Sequence, residues 1–200
     1  MSLSPLDWAQ RYQSGDTPWD LGAAHPELIA RIAAGELRSG PAGRRALVGG
    51  AGRGHDALAL AQAGFEVTAI DLVDAGAGEL AARLAALGGT FCIEDALLHV
   101  AKLPYDLIFE HTFFCAIDPS LRPRWGELVS RSLASDGRLC ALVFPVGKPA
   151  SEGGPPYGTT SVDIAAALGA KFKLAVDEPV RQAVTRRNWP ERWAEFFRAR

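Results

Sequence analysis

The sequence predicts an α/β fold: a mostly parallel sheet covered by helices on both faces. Short apolar strands alternate with helical stretches of roughly 10–15 residues, as successive βαβ units do. The strands are nearly continuous apolar runs, which suits a sheet buried on both sides. Glycine-rich or polar residues follow four of the strands, at the carboxyl ends where open α/β sheets bind ligands. With 200 residues, the chain matches one domain at roughly 100–200 residues per domain, so residues 1–200 are expected to form a single domain.

The elements run in order. Residues 5–13 read as a short helix, with Leu6, Ala9, Gln10 and Tyr12 near helical spacing. A turn cluster at 14–18 follows. Residues 26–37 form a second helical stretch, with Pro26 at a start position and Leu28, Ile29, Ile32, Ala33 and Leu37 on one face. A linker at 39–43 separates this segment, 1–40, from the remainder, 41–200. The first strand is expected at 45–49 and a helix at 55–63, closed by Gly64 as a C-terminal cap. Further strands are expected at 65–70, 90–93, 105–109 and 138–144. Helices are expected at 75–87, 119–133 and 161–168, and 135–137 reads as a turn. Segments 172–176 and 180–185 read as a closing hairpin, giving seven strands. The aromatic tail 190–200 reads as a helix, with Trp193, Phe196 and Phe197 in the core beside Trp189.

Composition narrows the function. Lys and Arg number 21 against 23 Asp and Glu, a formal charge of −2. That balance lacks the basic face a nucleic-acid binder needs. No apolar stretch approaches a membrane span and no signal peptide is visible. Three widely spaced cysteines make neither a metal site nor a disulfide framework. The expectation is a cytoplasmic protein with a small-molecule substrate, no metal, and no nucleic-acid or membrane partner. The sequence carries no reading of oligomeric state.

Glycine, at 21 residues, is the count that stands out. Four fall within residues 49–54, directly after the first strand, where the backbone must pass close to a ligand. Asp71, 21 residues past Gly50, ends the second strand at the spacing where a carboxylate meets ribose hydroxyls. Glu94 and Asp95 follow the third strand, and Glu110 and His111 end the fourth. Two ligand classes share this layout. A dinucleotide needs G-x-G-x-x-G. Here Gly50 and Gly52 fit, but His55 holds the third position. S-Adenosylmethionine carries no phosphate and suits Gly50-Ala51-Gly52-Arg53-Gly54 with Asp71 and Asp95 better.

The stretch 45–61, with its loop Gly49-Gly50-Ala51-Gly52-Arg53-Gly54-His55-Asp56, resembles motif I of the thiopurine S-methyltransferase family, whose usual loop reads PGCGRGHD. Gly49 and Ala51 replace the proline and cysteine. The N-terminal residues Trp8, Tyr12 and Gly15-Asp16-Thr17-Pro18-Trp19-Asp20 are similar to this family's entry segment. Residues 105–119, with Arg122 and Trp125 beyond, also match, as does the loop Gly154-Pro155-Pro156-Tyr157. The resemblance covers almost the whole chain in order.

It implies a Rossmann-like class I S-adenosylmethionine-dependent methyltransferase acting on a small nucleophile, a thiol first. Tellurite or selenite, a small oxygen or nitrogen acceptor, and cofactor binding without catalysis are the alternatives. By position, Gly50 and Gly52 would contact the cofactor, Asp71 would hold its ribose, and Asp95 and Ala96 would frame its adenine. Trp8, Tyr12 and Trp19 would belong to an N-terminal lid spanning 1–40. His111 would sit beside the methionine moiety or the substrate; its own chemistry would let it take a thiol proton or, when protonated, favour an incoming anion. Tyr157 would cover the substrate. Arg122 and Arg124 read as solvated residues at a helix start, and Cys115 as a small buried side chain.

Overall fold

The computed structural model describes residues 3–37, 45–75 and 78–199. The linker read at 39–43 lies outside the described residues, as do positions 76–77 of the helix expected at 75–87. Seven strands form one sheet: β1 (Arg45–Gly49), β2 (Glu66–Asp71), β3 (Thr90–Ile93), β4 (Tyr105–His111), β5 (Leu133–Val143), β6 (Phe172–Pro179) and β7 (Arg192–Arg198). Their order is β3-β2-β1-β4-β5-β7-β6. The first five run parallel, and β7 is antiparallel to both its neighbours. The chain fills one side through β2 and β3, then crosses back to β4. The switch point therefore lies between β1 and β4, where a ligand site is expected.

Among the described residues six α-helices accompany the sheet: α1 (Pro5–Ser14), α2 (Pro26–Ala33), α3 (His55–Gln62), α4 (Gly78–Ala86), α5 (Arg122–Ser132) and α6 (Ser161–Leu168). α1 and α6 begin in reciprocal capping boxes, Ser4 with Asp7 and Thr160 with Asp163. α4 buries Leu80 and Leu84 one turn apart, and α5 buries Trp125, Leu128 and Val129. The core has two halves. Leu28, Leu58, Leu60, Phe65, Val67, Leu84 and Trp193 pack together, and Leu47, Ile70, Trp125, Leu128, Leu139 and Phe196 form the other group. Among the described residues no helix is long and apolar enough to cross a membrane.

The segment 1–40 divides. α1 buries no residue, whereas α2 buries Glu27, Leu28 and Arg31. Arg31 is neutralised by Glu27 at 2.7 Å, Glu36 at 2.9 Å and Glu178 at 2.6 Å, and it lies 4.2 Å over the Trp193 ring. α2 is thus tied to the sheet and contributes no wall to the cavity described below.

Three expectations are corrected. The tail is a strand, not a helix. Trp193 packs in one half of the core, and Ala194 and Phe196 in the other, the period-2 alternation of a sheet covered on both faces. Residues 180–185 are not a strand, and β6 pairs with β7 instead. The turn read at 135–137 lies inside β5 as a bulge. Tyr105 pairs with Leu133 and Leu107 with Arg138, so the extra residues loop out where Gly137 passes close to β4. A Cβ at 137 would stand 2.9 Å from the Tyr105 carbonyl oxygen.

Candidate active site

A cavity of about 570 Å3 opens over the carboxyl ends of the strands. Its floor starts at the glycine loop. Gly50, Gly52 and Gly54 take φ values of 62°, 56° and 74°, a left-handed path that side chains resist. The packing leaves no room either. A Cβ at Gly50 would meet the Phe113 side chain at 2.8 Å, and one at Gly52 would meet the Tyr12 hydroxyl at 2.9 Å. The Gly52 N–H donates to Asp71 Oδ2 at 2.7 Å, and the Val73 N–H to Oδ1 at 3.2 Å. Burial pushes the Asp71 carboxyl up, against the pull of the Gly52, Val73 and Leu72 N–H groups.

Asp95 caps a 3-10 turn, Ala96–Leu98, by accepting the Leu97 N–H at 2.9 Å. Asp71, Asp95, Ala96 and Leu97 all wall the cavity. So do Trp8, Arg11 and Tyr12 of α1, with Trp19 from the turn beyond. The Trp19 ring stands edge-on to Trp8 at 5.3 Å and to Tyr12 at 5.7 Å, and the Arg11 guanidinium lies 4.4 Å over Trp19. Burial, with the Asp71 charge adding, pushes the Tyr12 hydroxyl up to about 12.

A turn after β4 closes the floor. Thr112 has φ 64°, a costly left-handed conformation for a β-branched residue. Buried Glu110 holds the turn by accepting the N–H groups of Phe113 at 2.9 Å and Phe114 at 2.8 Å. Burial pushes the Glu110 carboxyl up to about 7. Cys115 is buried, its thiol pushed up to about 12 by burial and then by the Glu110 charge, yet it is among the residues that line the cavity.

His111 does not wall the main cavity. It lines a smaller hollow of about 50 Å3 behind the glycine loop, with Asp20, Arg53, His55 and Asp56, and Gly52 lies on that side too. Gly50, Thr112 and Trp19 border both spaces. His111 Nδ1 is 2.6 Å from Asp56 Oδ2, and Nε2 is 2.9 Å from Arg187 Nη2. Burial, with the Arg187 charge adding, holds its ring below the usual histidine range despite Asp56.

Tyr157 is half-buried. Its N–H donates to the Cys115 carbonyl at 2.7 Å, but Pro155 and Pro156 of that loop face the cavity while Tyr157 does not. Arg122 is not a solvated helix start. Its Nη2 donates to the Gly158 carbonyl at 3.0 Å and Thr159 Oγ1 at 3.1 Å, and it lies 4.7 Å over Phe114, tying the loop to the floor.

Sequence reasoning missed the last wall, Arg186, Arg187, Asn188 and Trp189. Trp189 belongs to this wall and not to the core. Arg187 lies 4.3 Å over the Phe144 ring and pairs with Glu191. The available signal was a cluster of two arginines, an asparagine and a tryptophan outside any periodic element, where binding residues concentrate.

The thiopurine S-methyltransferase family model matches residues 3–195. The chain belongs to the thiopurine S-methyltransferase family. It is 34% identical over 154 residues to a probable thiol methyltransferase 2 of Arabidopsis thaliana, covering 75% of this chain and 66% of that protein. It is 32% identical over 187 residues to thiocyanate methyltransferase 1 of Brassica oleracea, covering 90% and 80%. Among solved structures, it superposes on a Burkholderia thailandensis 1,6-didemethyltoxoflavin N1-methyltransferase with bound S-adenosylhomocysteine at a TM-score of 0.78, with 21% identity, covering 98% of this chain and 87% of that one.

This family member is an S-adenosylmethionine-dependent methyltransferase with the class I fold. Its residues fit that cofactor. The cavity has the size of a nucleoside joined to an amino acid, with carboxylates at the β2 and β3 ends and an aromatic wall, which suit hydroxyl and amine donors and a sulfonium cation.

Glu110 yields a pH-dependent expectation. Its carboxyl has a folded value of about 7 against 4.5 in the free state. Its contribution to stability is therefore full below pH 4.5 and is lost as pH rises through 7. Glu110→Gln keeps the accepting oxygen and removes the buried charge. Urea denaturation should find the variant gaining about 1–3 kcal/mol on the native protein between pH 4.5 and pH 8. An equal difference at both pH values would contradict this.

Proposed function

We propose that the protein transfers a methyl group to a small soft anion, a thiolate first, bound between Phe144, Arg187 and Trp189. The observation that carries this is Arg187. Arg187 lines the cavity on the β5–β7 side, and its guanidinium lies 4.3 Å over Phe144, another lining residue. Asp71 lies on β2, three strands from β5, or about 14 Å at about 4.8 Å per strand. That separation gives the cofactor an adenosyl end over β2–β3 and the acceptor an end over β5–β7.

Bound S-adenosylmethionine supplies an electrophilic methyl group on a sulfonium. Asp71 would accept the ribose hydroxyls on lone pairs that Gly52 and Val73 leave free. Asp95, Ala96 and Leu97 would frame the adenine. Gly50 and Gly52 let the backbone approach the methionine portion, and the small hollow beside Asp20 and Arg53 suits its zwitterionic end. Trp8, Tyr12 and Trp19 close over the cation, which aromatic faces attract by about 0.5–2 kcal/mol. A dinucleotide fits less well, because Asp56 in the first turn of α3 opposes a pyrophosphate there.

His111 is not the base in this reading. Both ring nitrogens are committed, to Asp56 and Arg187. None is required, because the thiolate is already the reactive form of a thiol. Arg187 favours the anion, and alignment of donor and acceptor supplies the rate, an effect of about 7–11 kcal/mol at best. Tyr157 acts through its backbone, holding Pro155 and Pro156 over the acceptor.

Two measurements test this. In calorimetry S-adenosylhomocysteine should bind and NAD should not, and Asp71→Ala should weaken the former at least tenfold, since hydrogen bonds to a charged group contribute about 1.5–3 kcal/mol each. Unchanged affinity would remove Asp71 from the site. The second is a product screen with hydrosulfide, thiocyanate, iodide, tellurite and a small amine. Methylated sulfur products should dominate. Turnover of the amine alone would overturn the acceptor class, and no turnover with any would favour cofactor binding without catalysis.

A further inference from the structure

Five residues at and behind the cavity wall close a ring. Asp56 Oδ2 accepts from His111 Nδ1 at 2.6 Å, and His111 Nε2 accepts from Arg187 Nη2 at 2.9 Å. Arg187 Nη1 donates to Glu191 Oε1, which also accepts from His25 Nε2 at 3.0 Å. The His25 backbone N–H returns to Asp56 Oδ1 at 2.8 Å. The members come from the lead-in to α2, the first turn of α3, the end of β4 and the loop before β7. Their side chains are mostly closed to solvent: 0% exposed for His25, 2% for Glu191, 5% for Arg187, 8% for His111 and 15% for Asp56. The His25 and His111 rings meet edge to face at 5.0 Å.

The donors fix the tautomers. His25 Nδ1 faces the Glu27 N–H at 3.1 Å and must present a lone pair, so its proton sits on Nε2. His111 Nε2 faces an Arg187 N–H, so its proton sits on Nδ1. Both imidazoles are neutral, in opposite tautomers. A proton added to either would set N–H against N–H. At His111 it would also place a second cation beside Arg187. Arg187 spends one N–H on Glu191 and one on His111. Its remaining donors carry no protein partner among the described residues, and Arg187 is one of the residues that line the cavity.

We propose that His25 and Glu191, neither of which walls the cavity, are positioning residues that hold Arg187 toward the acceptor, and that the ring does so only while His111 Nε2 keeps its lone pair for Arg187. The inference rests on the acceptor-side reading of Arg187. The titratable and charged groups facing His111 are Asp56 from α3, Arg187 from the loop before β7, and the neutral His25 across the ring contact. Those facing Glu191 are His25 and Arg187. Acidification below the histidine range breaks a link beside Arg187 and frees the guanidinium to turn away.

The test uses the full chain saturated with S-adenosylhomocysteine, with thiocyanate as the probe because it stays anionic throughout. Calorimetry should find thiocyanate binding weakened at least fivefold between pH 7.5 and pH 5. Glu191→Gln and His25→Gln should each weaken it about tenfold at pH 7.5, with S-adenosylhomocysteine affinity within twofold of the native value. In an Arg187→Gln background, Glu191→Gln should add nothing. Nitrogen-15 spectra of the histidines, which require neither turnover nor a folded variant, should find His25 protonated on Nε2 and His111 on Nδ1 at pH 7.5. A flat pH profile, matching tautomers, or an undiminished Glu191→Gln effect without Arg187 overturns the positioning role. Unchanged thiocyanate binding in Arg187→Gln overturns the acceptor reading of Arg187 itself.

Discussion

The Gly52 N–H held by the Asp71 carboxylate at 2.7 Å is the contact on which the site depends. It ties the loop after β1 to the end of β2 while Gly50, Gly52 and Gly54 run through left-handed conformations. With the loop fixed, Phe113 and Tyr12 pack directly on its glycines, so the floor and the N-terminal cover are both indexed to it. The same loop sets where α3 begins. Asp56 in its first turn then reaches His111 on β4. A loop displaced by the volume of one methyl group would disturb both ends of the cavity.

Buried charge does much of the remaining positioning. Arg31, with Glu27, Glu36 and Glu178, fastens α2 to β6. Arg187, with Glu191 and the two histidines, fastens the loop before β7 to α3 and β4. Burial works against charging Glu191, but the His25 and Val184 N–H donors and the Arg187 charge outweigh it and hold the carboxyl at about 2. Removing one partner of such a group leaves the other buried and uncompensated, a cost of about 3–5 kcal/mol. These networks explain why the N-terminal segment divides. α2 is locked to the sheet by Arg31. α1 lacks a buried residue and is held through aromatic contacts at the cavity mouth.

The parallel half of the sheet was legible because its signals are local: apolar runs, glycine stops, and acids at strand ends. Gly50, Asp71 and Asp95 were found that way and Ala96 through the family resemblance, and all four wall the cavity. The antiparallel edge was not legible. Trp193, Phe196 and Phe197 satisfy helical spacing as well as strand alternation, and only the gap between β5 and β6 decides between them. The bulge at 134–137 reads as a turn because Ser-Asp-Gly is turn chemistry in either setting. Arg187 escaped because its role comes from partners far away in sequence: His111 is 76 residues distant. His111 was noticed by its place after a strand, but position alone does not reveal that both its nitrogens are taken.

The most direct test of the central claim is a crystal structure of the protein with S-adenosylhomocysteine and thiocyanate. The account predicts ribose hydroxyls on Asp71, adenine against Ala96 and Leu97, and thiocyanate on the Arg187 guanidinium between Phe144 and Trp189, facing the cofactor sulfur. Adenosine over β5, or the anion seated away from Arg187 with the cofactor in place, would contradict it.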